Sequence, residues 1–202
     1  MADIGQLAKW DFEKEVYIRN EKVIECVLAY LEEHGQRLHP DMMPELEQVA
    51  RFIFSKVVQA VIYLHEDAKI IHRDIKLDNI LFDSELCEVK LSDFTVARGE
   101  IEENTHLFDC EGTPCFTAPE CTIVEKEGYM PKPTDIWSIG VCIYTFITGI
   151  VPFYGDCELQ IQINQRQNQL EIPEYFSPIL QDLISKLLSK DPSQRPTAYE
   201  ML

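Results

Sequence analysis

The stretch Ile71-His72-Arg73-Asp74-Ile75-Lys76-Leu77-Asp78-Asn79-Ile80-Leu81 decides how the rest of the chain is read. It sets Asp74, Lys76 and Asn79 at short fixed intervals between a helical pattern and a strand pattern. Upstream, from about Pro44, the residues Val49, Phe52, Ile53, Val57, Val61 and Leu64 fall on one stripe at helical spacing, so this helix packs into a core. Downstream, Ile80-Leu81-Phe82 precedes the turn Asp83-Ser84-Glu85. Beyond the turn, Cys87, Val89 and Leu91 alternate with Glu88 and Lys90, which reads as a small β-hairpin. Ser92-Asp93-Phe94 follows its second strand. A lone Asp in a chain this acidic is more often a solvated charge than a catalyst. Several chemistry-bearing residues in a helix, loop and hairpin context fit that plain reading poorly.

Farther out, residues 21–31 carry Val23, Ile24, Val27, Leu28 and Leu31 at helical spacing, and Gly35 closes that amphipathic helix. Residues 94–135 have no sustained period and contain Gly99, Gly112, Pro114, Pro119, Pro131 and Pro133, a long irregular segment of the kind that is usually functional. Residues 136–155 are uncharged and about as long as the roughly 20 residues a membrane span needs. Gly140, Gly149 and Pro152 interrupt that run, and a helix buried all round, ending near Thr148-Gly149, explains it without lipid. Ser177-Pro178 reads as an N-cap with proline at the first helical position, leading into Ile179, Leu180, Leu183, Ile184, Leu187 and Leu188.

Composition bounds the function. With 202 residues, 46% apolar and 26% charged, the chain has the make-up of one globular unit. Eighteen Lys and Arg against 35 Asp and Glu give a net charge of −17, which argues against a nucleic-acid or anionic-membrane surface and favours cationic partners. Seven cysteines, an odd number without a C-x-x-C pair or an apolar secretory segment after Met1-Ala2-Asp3, point to reduced thiols in the cytoplasm or nucleus. His106, Cys110, Cys115 and Cys121 stand at intervals of four, five and six, which is not a zinc spacing.

Asp74, Lys76 and Asn79, an Asp-Phe pair at Asp93-Phe94, and Gly112-Thr113-Pro114-Cys115-Phe116-Thr117-Ala118-Pro119-Glu120 together resemble a eukaryotic protein kinase catalytic domain. Asp135-Ile136-Trp137-Ser138-Ile139-Gly140 and Asp191-Pro192-Ser193-Gln194-Arg195-Pro196 match two further signatures in the family's order. The resemblance implies an α+β fold, namely the mainly α-helical large lobe with a small β-hairpin at the catalytic loop. It implies transfer of a phosphoryl group from ATP, with Mg²⁺, to a protein hydroxyl. Asp74 is then the base, Lys76 the phosphate clamp, Asn79 and Asp93 the metal ligands, and Leu81 the apolar contact under the adenine ring, although a plain core leucine reads the same way. Lys76 two positions after Asp74 is the serine/threonine pattern, and Thr113 is the threonine that bonds back to the catalytic loop. Glu120 paired with Arg195, and Asp135 holding the loop's backbone, are scaffolding, since a buried carboxylate is costly without partners. Arg73 belongs to the type whose activation segment supplies an anion to it. No hydroxyl residue lies between His106 and Gly112, so Asp109, ahead of Glu111, is the candidate anion, with two solvated charges as the alternative.

Two departures stand out. Thr95 occupies the place of the family's glycine after Asp-Phe, which restricts the backbone there. The eight glycines nowhere form a G-x-G, and no Val-Ala-x-Lys strand precedes His72, so the small β-rich lobe is expected to be absent. On this reading residues 21–202 are a large lobe truncated at both ends, and residues 1–20 are unassigned. The expected function is a serine/threonine protein kinase acting on a basic protein substrate, with neither nucleic acid nor membrane as partner. The rival is a non-catalytic kinase-like binding or regulatory module. Within the family the motifs look most like calcium/calmodulin-dependent protein kinase kinases.

Overall fold

The computed structural model describes residues 2–3, 8–11, 16–19, 45–83, 88–123 and 127–202. The amphipathic helix expected at residues 21–31 and the hairpin turn at Ser84-Glu85 fall outside them. Strands β1 (Ala2–Asp3), β2 (Ala8–Asp11) and β3 (Val16–Arg19) come first, β2 and β3 pairing antiparallel with Trp10 opposite Tyr17.

Helix α1 (Glu45–Ile62) runs 18 residues. Val49, Ile53, Val57 and Val61 recur every four positions on one face and are all buried. Each such side chain contributes roughly 1.5–3 kcal/mol of burial, which outweighs the weak helix propensity of a Val/Ile-rich stripe. A π-helical turn (Tyr63–Ala68) follows, burying Leu64 and His65, and Lys69 stops it in the left-handed region at φ 57°. Strands β4 (Ile80–Asp83) and β5 (Glu88–Leu91) then pair antiparallel, Ile80 opposite Leu91 and Phe82 opposite Val89. β1 adds to the free edge of β4, so the sheet order is β1-β4-β5. Ile80 and Phe82 face the core, and Leu81 takes the opposite, half-exposed face, so it is not a core leucine.

Residues 94–123 and 127–131 are irregular apart from a 3₁₀ turn (Pro119–Thr122). Two isolated bridges, Ile71 with Arg98 and Leu107 with Tyr129, tie them down over a small cluster of Ile71, Ile101, Leu107 and Tyr129. Helix α2 (Lys132–Thr148) is buried on every side and is closed by Gly149 at φ 81°. It begins earlier than the irregular stretch read to residue 135. Pro133 sits in the first turn, where its missing N–H would have had no partner anyway. Among the described residues no helix is long and apolar enough to cross a membrane. Helix α3 (Glu158–Gln167) follows, and α4 (Pro178–Leu187) is capped by Ser177 Oγ accepting from Leu180 N. At Gly140, α2 meets α4 so closely that a Cβ would stand 2.8 Å from Leu187 Cβ.

Candidate active site

The backbone of the loop that follows the π turn is shaped by one buried carboxylate. Asp135, in the first turn of α2 and fully buried, accepts from His72 N at 3.0 Å and Arg73 N at 2.9 Å, and lies 2.8 Å from His65 Nε2. Burial by itself would raise its pKa, but His65 and the two backbone donors outweigh that and hold it below the ordinary carboxylate range. Arg73 adopts φ 67°, a left-handed conformation that a non-glycine residue holds only when its surroundings enforce it. Asp135's bond to its N–H is part of that enforcement.

With Arg73 fixed, Asp74 projects into a cluster of donors. Its Oδ2 accepts from Lys76 Nζ at 2.8 Å and Asn79 Nδ2 at 3.1 Å, and its Oδ1 from Thr113 N at 3.0 Å and Thr113 Oγ1 at 2.7 Å. Lys76 Nζ also donates to Thr113 Oγ1 at 2.9 Å, and Asn79 Nδ2 to Asp74 O at 2.8 Å. Partial burial pushes the Asp74 carboxyl up, while Lys76, Thr113 and Asn79 pull harder and leave it below the usual range. Asp74 is therefore a carboxylate with defined orientation at neutral pH. Thr113 reaches it because Gly112 turns at φ 107° directly against Arg73 O, where a Cβ would lie only 2.4 Å away.

The hairpin sets the second acidic group. Ser92 N and Ser92 Oγ both donate to Asn79 O at 2.8 Å, so the residues after β5 lie beside the loop. Asp93 then adopts φ 61° and is exposed. Thr95 Oγ1 and Thr95 N both bond to its Oδ1, and these bonds lower its pKa. The residue that restricts the backbone thus also holds the carboxylate. Phe94 packs on the ring of buried His72, with centroids 4.8 Å apart. No side-chain hydrogen bond among the described residues joins Asp93 to the Asp74 cluster, and Leu81 lies outside it on its half-exposed face.

The donor set suits a magnesium nucleotide. Mg²⁺ takes oxygen ligands and is normally held by one or two protein groups plus phosphates and water. Asn79 spends its amide nitrogen on Asp74, and Thr95's two bonds fall on one Asp93 oxygen, so Asn79 Oδ1 and Asp93 Oδ2 carry none of these bonds.

Two further pairs brace the site. Arg73, its side chain 9% exposed, donates through Nη1 to Asp109 Oδ2 at 2.8 Å and through Nε to Val96 O at 2.6 Å. Tyr129 OH donates to the Asp109 carbonyl at 2.8 Å. The Arg73 guanidinium holds the Asp109 carboxyl below its usual value. No ion pair of Glu111 occurs among the described residues. Glu120 and Arg195 form a two-pronged contact, Nη1 to Oε1 at 2.6 Å and Nη2 to Oε2 at 2.8 Å, with Arg195 also stacked on Trp137.

The protein kinase domain family matches residues 11–202 of the chain. The chain belongs to the eukaryotic serine/threonine protein kinase family. It is 40% identical over 151 residues to serine/threonine-protein kinase GRIK2 of Arabidopsis thaliana, covering 75% of this chain and 37% of that one. It is 39% identical over 158 residues to CBL-interacting protein kinase 25 of Oryza sativa subsp. japonica, covering 77% and 30%. Against serine/threonine-protein kinase PLK1 of Xenopus laevis it is 34% identical over 165 residues, covering 82% and 27%. The chain spans between about a quarter and somewhat over a third of the length of these relatives.

In this family member, then, the structure gathers Asp74, Lys76, Asn79 and Thr113 in one bonded cluster, joins Arg73 to Asp109 and Glu120 to Arg195, and sets Asp135 beneath the loop. Sequence reasoning missed His65, Tyr129 and the hydroxyl of Thr95. His65 is an isolated polar residue near a helix end, and its partner lies 70 positions away, so no local pattern marks it. Thr95 carried a signal, since a Ser or Thr two residues after an Asp bonds its carboxylate readily.

Proposed function

We propose that the chain forms the catalytic-loop part of a phosphoryl-transfer site acting on serine or threonine hydroxyls of protein substrates. The observation that carries this reading is the Asp74 carboxylate, kept ionised and aimed by Lys76, Asn79 and Thr113. Bound Mg-ATP supplies the phosphoryl group and the positive charge that offsets the phosphates. Asp74 orients the substrate hydroxyl and takes its proton. Lys76, already bridging Asp74 and Thr113, presents an ammonium to developing negative charge. Asn79 and Asp93 offer oxygen ligands to the metal, with Thr95 fixing Asp93, and Leu81 offers its apolar face to the adenine ring. Glu120, Arg195 and Asp135 keep the loop and the Gly112–Glu120 segment in place.

Regulation follows from Arg73. Asp109 supplies to it the anion that related sites receive as a phosphate, so the segment is held without modification. The net charge of −17 favours basic substrates over nucleic acid or an anionic membrane, and the seven cysteines suit a reducing, intracellular setting. We assign residues 21–202 to the large-lobe unit.

The test is transfer of ³²P from Mg-ATP to a basic serine/threonine peptide, with Asp74→Asn as control. Transfer that survives in Asp74→Asn refutes the assignment. No transfer by the wild type, with saturable binding of the peptide, favours a non-catalytic module.

A further inference from the structure

Among the described residues five lysines hold their Nζ in a polar contact, and four of them do so with a carboxylate. Lys76 pairs with Asp74, Lys90 with Glu88, Lys132 with Glu66 and Lys186 with Asp182. Lys190 is the exception, since its Nζ donates to the backbone carbonyl of Gln165 in the last turn of α3. That nitrogen also stands 3.6 Å from the centroid of the Phe153 ring and 5.4 Å from that of Trp137. The two rings are buried and stacked, with an interplanar angle of 12°. Arg195 lies over the same indole, its Cζ 4.9 Å from the centroid, and is itself paired with Glu120. Arg195 is therefore the charged group that Lys190 faces. Trp137, Phe153 and the Gln165 amide bring no titratable group to it.

This setting suits a neutral amine. A primary amine has two N–H bonds and one lone pair, and Gln165 O takes one of the N–H bonds. The carbonyl oxygen and the electron-rich ring face both repel the lone pair, which turns it away from them. Lys190 is partly exposed, so solvent reaches the side chain. Burial, and behind it Arg195, bring its pKa down to about 8, against the pull of the rings on the ammonium form. At pH 7.5 about a quarter of the molecules then carry the amine, against about one in a thousand for an ordinary lysine. A carboxylate partner keeps the other four lysines as ammonium ions.

We propose that Lys190 is an acylation site, a nucleophilic amine that takes an acyl group directly from a small thioester. Thioesters fit because they survive in neutral water yet yield to an unprotonated amine. The nitrogen attacks the thioester carbonyl, a C–N bond forms and the C–S bond breaks. The nitrogen gives up one proton, which the departing sulfur takes, so the products are a neutral amide and a thiol. The amide keeps one N–H for Gln165 O but loses the charge held over Phe153, so acylation weakens the grip of Lys190 on the rings beside the end of α3. The proposal is independent of the reading of Asp74.

The experiment exposes the full chain to S-acetyl-N-acetylcysteamine from pH 6.5 to 9.5 and follows each lysine by peptide mass spectrometry. Exposed Lys56 and Lys186 serve as internal references, and a parallel sample in concentrated urea gives the rates in the unfolded chain. At pH 7.5 Lys190 should acetylate about 5- to 30-fold faster than either reference, because its larger neutral fraction is only partly offset by the weaker nucleophilicity of a less basic amine. Its rate should level off above about pH 8.5 while theirs keep climbing. In urea the advantage should vanish. Lys190→Arg, which keeps a cation at the rings, should lose the adduct and leave both references unchanged. A Lys190 rate at or below the references in the folded chain overturns the proposal, as does a rate that climbs with pH as theirs do. An advantage that persists in urea also overturns it, because the cause is then local sequence and not the fold.

Discussion

Asp109→Asn isolates the contact between Arg73 and Asp109. The substitution keeps the volume, leaves a neutral acceptor facing Arg73, and spares the Tyr129 bond, which goes to the backbone carbonyl. What it removes is one unit of charge 2.8 Å from a guanidinium whose side chain is 9% exposed, from a carboxylate that is 51% exposed. Two unit charges about 4 Å apart interact by ~4 kcal/mol at an effective dielectric of 20 and by ~1 kcal/mol in water. Half-exposure of Asp109 places the pair toward the wet end, above the 0.2–1 kcal/mol of fully exposed pairs and well below the ~3–5 kcal/mol cost of breaking a buried one. A loss of about 1–2 kcal/mol lowers the closing equilibrium of the segment by about 5- to 30-fold. Hydrogen exchange at the Leu107 amide, bonded at 2.9 Å to Tyr129 O, reads that opening directly. Protection should fall by this factor in Asp109→Asn at low salt, and high salt should erode part of it in the wild type. Equal protection in the two proteins at low salt would refute the reasoning. So would a full additional loss when Arg73→Ala is added to Asp109→Asn, because partners in one contact are not additive.

Other outcomes follow from the same geometry. Asp74→Asn should lower turnover by about 10²- to 10⁴-fold, the range for a positioned proton acceptor, as measured by steady-state ³²P transfer with saturating peptide. Glu120→Gln leaves a buried Arg195 uncompensated at a cost of about 3–5 kcal/mol, so calorimetry should record a fall in Tm of about 6–20 °C. On acidification, the carboxyls of Asp74, Asp109 and Asp135 all sit below the ordinary 3.8. The stability they confer is complete above that unfolded value and is lost as pH falls through the lower folded values. The urea midpoint should therefore hold steady from pH 6 to about 4, then drop, and drop less steeply in Asp109→Asn. A midpoint unchanged down to pH 2.5 would contradict it.

The parts legible in the sequence are those set by local rules. The α1 stripe, the hairpin pairing Ile80 with Leu91, the Gly149 stop and the Ser177-Pro178 start each depend on residues within a turn or two of one another. The order of Asp74, Lys76 and Asn79 was visible because one tight loop carries all three. Helix α3 was not visible, because it docks through few residues, Ile161 and Gln165 among them, and shows almost no apolar stripe. The left-handed conformation of Arg73 was not visible either, since its residue type does not ask for it and the carboxylate that binds its N–H stands 62 positions away. Leu81 illustrates a different limit, because alternation gives the period of a strand while the phase comes from what packs on it.

The reliance of the loop on Asp135 has a consequence for synthesis on the ribosome. His65, His72 and Arg73 leave the exit tunnel 62 to 70 residues ahead of the carboxylate that binds them. At about 5–20 residues per second that interval lasts about 3–14 s, and Glu120 waits still longer for Arg195, 75 positions on. Throughout it Arg73 lacks the Asp135 carboxylate that helps to hold its left-handed backbone. The backbone of the loop is thus completed only once α2 has emerged, so its final shape is among the last features of this region to form.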